Sequence, residues 1–163
     1  MRRSVSNKPT SLPSDIEEIL EKYEDIISQY AVGKGKEYVP RYERNERFMR
    51  AIIPLKEHPE YGITGMVAFE TYDEDGRIER YSYSWRILHP KRGKHAGHIT
   101  AWENDPHDSP NTPPEYRVTT DPHHHHHVPF DRRQRKENYD VRTLDDAFSK
   151  VAEFIRSGKP YTP

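Results

Sequence analysis

Residues 77–88 read RIERYSYSWRIL, and this run constrains the fold more than any other stretch. Ile78, Arg80, Ser82, Ser84, Arg86 and Leu88 fall on one side, and Tyr81, Tyr83, Trp85 and Ile87 on the other. A period of two belongs to a β-strand, whose successive side chains leave opposite faces of the sheet. The aromatic side must meet a core or a site. FMRAIIPL and GMVAFETYD read as two preceding strands, and DEDG as a hairpin turn in which Gly76 takes a positive φ. HITAWEN reads as a further strand after the basic loop HPKRGKHAG, whereas DPHDSPNTPPE, with four prolines, cannot be a central strand. YRVTTD and the histidines after it resume extended structure.

Helical patterns bracket this meander. Ser14 and Glu17 are spaced as a capping box, and a helix over about 14–31 places Ile16, Ile19, Leu20, Tyr23, Ile26, Ile27 and Tyr30 on one stripe before Gly33 and Gly35. Thr143 and Asp146 cap a second helix over about 144–157, with Leu144, Phe148, Val151 and Ile155 inward and Gly158 and Pro160 ending it. The order helix, meander, helix predicts an α+β domain, an antiparallel sheet with N-terminal and C-terminal helices packed against it. One such domain is expected over 13–158, with flexible ends at 1–12 and 159–163.

The core must be small and aromatic, since AVILMFWYC make up 32% of the 163 residues, charged residues 33%, and there are 11 Tyr, 5 Phe and 2 Trp. With no cysteine, disulfides and thiolate metal sites are excluded, and any metal must bind through His and carboxylate. No apolar run approaches the ~20 residues that span a bilayer, so a cytoplasmic protein without a membrane partner is expected. The net charge of −1 conceals basic patches in RYERNERFMR and DRRQRKEN.

Chemistry concentrates in WENDPH and DPHHHHHVPF. On a strand, His123, His125 and His127 face one way and His124 and His126 the other. Two histidines titrating near neutrality can act as general base and general acid on an RNA phosphodiester, which needs no metal. Here His107 and one of His123, His125 and His127 would share those duties, Glu103 would orient an imidazole, and Arg132 and Arg133 would hold phosphate. Tyr83 and Trp102 are candidates for base stacking, although core packing is the ordinary use of such rings. Alternatively, His107, His123, His125 and His127 hold zinc or nickel in a non-enzymatic metal-binding or nucleic-acid-binding protein. A third reading is a nuclease in which Glu103, Asp105 and the histidines bind Mg²⁺ or Mn²⁺. His58, His89, His95 and His98 read as ordinary surface histidines or satisfied loop histidines.

AWENDPHDSP, followed by DPHHHHHVPF and a capped helix, resembles the TumE-like toxins of prokaryotic toxin–antitoxin pairs. In that pattern a strand ends in an aromatic, an acid and Asn before Pro-His, and a Pro-His-His-x-His-Val segment follows. The matching residues are Trp102, Glu103, Asn104, Pro106 and His107, then Pro122, His123, His124, His126 or His127, and Val128, within a resemblance covering roughly 64–157. Glu103 stands where Asp is more usual, and Asp108 where a second His is common. The resemblance implies a toxin neutralised by a cognate antitoxin protein, with RNA as its target. A homodimer is compatible with it.

Overall fold

A computed structural model describes residues 11–28, 39–93, 96–106, 110–117 and 124–163. Its elements are α1 (Ile16–Lys22), β1 (Arg41–Arg44), β2 (Phe48–Pro54), β3 (Ile63–Tyr72), β4 (Ile78–His89), β5 (Gly97–Glu103), a 3-10 turn (Pro114–Tyr116), β6 (His125–Val128), β7 (Asp131–Glu137) and α2 (Leu144–Ser157). The seven strands form one sheet in chain order, each antiparallel to the next. The expected α+β meander with a helix at each end is therefore the fold.

The period-two run sets the orientation of the sheet. Tyr81, Tyr83 and Trp85 are buried on the helix side, where Trp85 lies near-parallel to Phe154 of α2 at 6.2 Å and Phe148 of α2 stacks on Tyr23 at 5.1 Å. Arg80, Ser82 and Arg86 face the other way. Gly76 takes φ 76°, as the β3–β4 turn requires. Strands β1 and β7 were not expected. RYER and DRRQRKE are largely exposed edge strands with no apolar alternation to reveal them.

The first helix is shorter than expected and is capped differently. Asp15 is its N-cap, accepting from Glu18 N, while Ser14 is drawn to the buried Glu70, donating its backbone N–H to Oε1 at 3.0 Å and its hydroxyl to Oε2. Beyond Lys22 the chain turns, and Ile27 bridges to Leu55 while Ser28 N donates to Pro54 O. Ile26 and Ile27 thus enter the core from outside a helix. The expected stop at Gly33 and Gly35 lies outside the described residues. The second helix is as expected, with a complete Thr143–Asp146 capping box and Gly158 left-handed at its end. Within the expected C-terminal tail, Tyr161 packs against Trp85 and Phe154 and donates its N–H to Tyr61 Oη.

Candidate active site

The site grows out of the β5–β6 pairing, in which Glu103 lies opposite His125 and Ala101 opposite His127. Alternation then puts His125 and His127 on the face away from the helices, beside Glu103. His124 and His126 point to the core side, His124 near Tyr81 at 5.9 Å and His126 stacked on Trp102 at 6.2 Å. Glu103 Oε1 accepts from His125 Nε2 at 3.0 Å and from His127 Nε2 at 2.8 Å. The two imidazoles are nearly parallel, 5.7 Å apart and 10° between planes. The His125 side chain is sealed from solvent, whereas those of His127 and Glu103 keep 8% and 15% of their surface.

One carboxylate oxygen between two imidazoles has two chemical uses. It fixes which ring nitrogen carries hydrogen and stabilises an imidazolium when one forms. It also makes a His₂-carboxylate ligand set, since one ligand atom from each of Glu103, His125 and His127 lies within 4.8 Å of the others.

Cations and a further imidazole surround the cluster. His98 lies 5.4 Å from His127. Burial pushes the His98 imidazole down to about 4, assisted by the charges of His127, Arg132 and Arg86 and opposed by Glu103. Burial also lowers Arg86, with the Arg132 charge adding to it. Arg135 pairs with His127 across β6 and β7, so its side chain leaves the same face. Asn104 anchors the exit from the site: its Oδ1 accepts from Tyr81 N and its Nδ2 donates to Glu79 O, both at 2.9 Å.

A family model described as Toxin TumE matches residues 33–158, more than half of the chain. The chain belongs to the TumE toxin family. Its toxin role follows from that membership. No curated protein and no solved structure matches the chain. Among the described residues no helix is long and apolar enough to cross a membrane.

Both motif segments fall inside the TumE match, and the structure brings Glu103, His125 and His127 of the expected site together. His107 and His123 lie outside the described residues. Between His126 and His127, it is His127 that faces the acid. Arg132 is exposed on β7 with its charge acting on His98, while Arg133 is exposed at the edge, 3.8 Å from Asp131. Tyr83 and Trp102 are corrected: both are buried core rings, Tyr83 stacked on Tyr81 and bonded to Glu70, so neither offers a face to a base. His58 is the satisfied histidine expected, since Nδ1 accepts from Glu60 N and Tyr61 N and Nε2 meets Lys159 O at 2.8 Å.

His98 is a second correction. Strict alternation sends His98 to the Trp102 side of β5, but the β4–β5 register slips between Trp85 and Arg86. Past that bulge Ile99 joins Trp102 in the core, and His98 emerges beside His127. No signal in HITAWEN announces it.

Proposed function

We propose that this TumE toxin is a metal-independent endoribonuclease whose proton chemistry is carried by the Glu103–His125–His127 cluster. The observation behind it is the single Glu103 oxygen shared by two imidazole Nε2 atoms. His127, the more accessible of the pair, is the proton-transfer group, and His125 steadies Glu103 from its other side. A base removes the 2′-hydroxyl proton, the 2′-oxygen bonds to the adjacent phosphorus, and the 5′-oxygen leaves with a proton from the acid. The products are a 2′,3′-cyclic phosphate and a 5′-hydroxyl. His107 is the partner expected for His127, and Arg86 and Arg132 meet the charge that develops on phosphate. A cognate antitoxin that neutralises the toxin is part of this reading.

The test is expression toxicity together with RNA cleavage by purified protein in EDTA. His127→Ala and Glu103→Gln are expected to lower cleavage by about 100-fold or more and to abolish growth arrest, with unchanged circular dichroism. Full toxicity in both variants would sink the assignment.

The convergence of three ligand atoms within 4.8 Å favours a second reading, in which the same cluster holds zinc, nickel or another divalent ion. Stoichiometric metal on elemental analysis, with cleavage abolished by EDTA and restored by metal, would establish it. Cleavage that persists in EDTA excludes a metal-dependent nuclease.

A further inference from the structure

We propose that the helix-free face of β1–β3 is a subsite for single-stranded RNA, where an unpaired base stacks on Phe69 and Arg41 and Arg50 contact the flanking phosphates. This rests on the ribonuclease reading and names where its substrate lies.

The strand registers place the subsite relative to the cluster. Glu43 pairs with Arg50, Arg50 with Phe69, Phe69 with Ser82, Ser82 with Glu103, and Glu103 with His125. Directly paired residues share a face, so these six side chains form one row across the sheet. At about 4.8 Å per strand, Phe69 stands roughly 10 Å from Glu103. A short flank of RNA bridges that distance from the cleaved phosphate.

The chemistry of this end of the row suits an unstacked nucleotide. Phe69 is 40% exposed, a large apolar ring left open on the sheet. Phe48 lies against it, 6.3 Å away and 28° from parallel, and the Arg50 guanidinium sits 5.0 Å from the Phe48 ring. Half-buried Ile52 and Val67 floor a groove that Arg41, Glu43 and Arg50 rim. Glu43 pairs with Arg50, leaving Arg41 as the stronger phosphate contact. Base stacking on an aromatic ring with arginine on the backbone is how proteins hold single strands, and a duplex, whose bases are already stacked, cannot use the ring. The two arginines on the rim supply the cationic charge that the phosphates of such a strand require.

The test uses the full chain carrying His127→Ala, which removes cleavage, and reads binding of a short fluorescent single-stranded RNA by anisotropy. Adding Phe69→Ala is expected to weaken binding about tenfold, Phe69→Trp to preserve it, and Phe69→Leu to behave like Ala. In the cleaving protein Phe69→Ala raises KM more than it lowers kcat. A duplex of equal length binds more weakly than the single strand. Equal binding by Phe69→Ala, or by the duplex, overturns the subsite while leaving the cluster's assignment standing, as does a Phe69→Ala variant that binds RNA normally but escapes antitoxin. If the wild type cleaves no RNA while His127→Ala still abolishes toxicity, the ribonuclease reading falls and the subsite with it.

Discussion

At the residue scale, the four described histidines of the run, His124 to His127, are divided by the pleat into groups with opposite chemistry. His125 and His127 meet a carboxylate, whereas His126 is buried against Trp102 with no hydrogen bond from either ring nitrogen to a described residue. Burial pushes His126 down to about 4 from an ordinary value near 6.5, with the charges of Lys136, His127 and His125 acting in the same direction. His98 is lowered likewise. A histidine held neutral in the fold binds its proton more readily in the unfolded chain, so between those values unfolding takes up protons. Stability from this source is therefore complete above about 6.5 and is lost as pH falls toward about 4. Urea midpoints at pH 7.5, 6 and 5 should decline in that order, and His126→Leu should flatten the decline without lowering the midpoint at pH 7.5. A steep loss at pH 7.5 in that variant would show that the ring has a partner and that the assignment of His126 to the core side is incomplete.

Elements were legible in the sequence in proportion to how far their apolar pattern alone decides them. Helix α2 carries its cap, stripe and stop in consecutive residues, and each is found in place. Because Thr143 Oγ1 accepts from Asp146 N at 3.2 Å and Asp146 accepts in return from Thr143 N at 3.1 Å, Thr143→Ala should lower stability by about 1 kcal/mol on chemical denaturation. An unchanged midpoint would mean that tertiary packing of Phe148 and Val151 alone holds the helix start. Strand β4 is legible from Tyr81 to Trp85, where one face is aromatic and the other polar, but Ile78, expected on the Arg80 side, is buried in the core beside the register shift at Thr71 and Tyr72. Strands β1 and β7 are not legible, because an edge strand exposed on both faces needs no alternation. The length of α1 is not legible, because Ile26 and Ile27 continue a helical spacing while serving the core from a turn and a bridge to Leu55. Of the site, Glu103, His125 and His127 were legible from two short segments. His98 was hidden by a bulge, and Phe69 by the general commonness of exposed aromatics.

At the scale of the whole molecule, the sheet carries two carboxylates in confined settings on opposite faces, and their surroundings give them different roles. Glu70 is fully buried on the helix side and accepts from Ser14 N, the Ser14 hydroxyl, Tyr72 Oη at 2.9 Å and Tyr83 Oη at 2.5 Å. Ser14 Oγ in turn accepts from Leu144 N at the start of α2, so one acid joins the N-terminal segment, β3, β4 and the second helix. The described donors that reach it come from the segment before α1 and from β3 and β4, and the tyrosine hydroxyls are held protonated, Tyr83 well above its ordinary range through burial and then the Glu70 charge. Glu103 keeps some solvent contact and bonds to titratable imidazoles. Removing the first acid strands several buried donors at once, so Glu70→Ala should cost about 3 kcal/mol or more, and Glu70→Gln less because the amide oxygen still accepts. Glu103→Gln should leave the unfolding midpoint nearly unchanged while abolishing growth arrest. Assayed well below its lowered midpoint, Glu70→Ala should keep the cleavage proposed for the wild type, because among the described residues no part of its network crosses to the face of His125 and His127. A folded Glu70→Ala protein without activity would mean that the two faces are coupled through β4, where Tyr83 and Ser82 are neighbours, and that the site depends on the core for more than a platform.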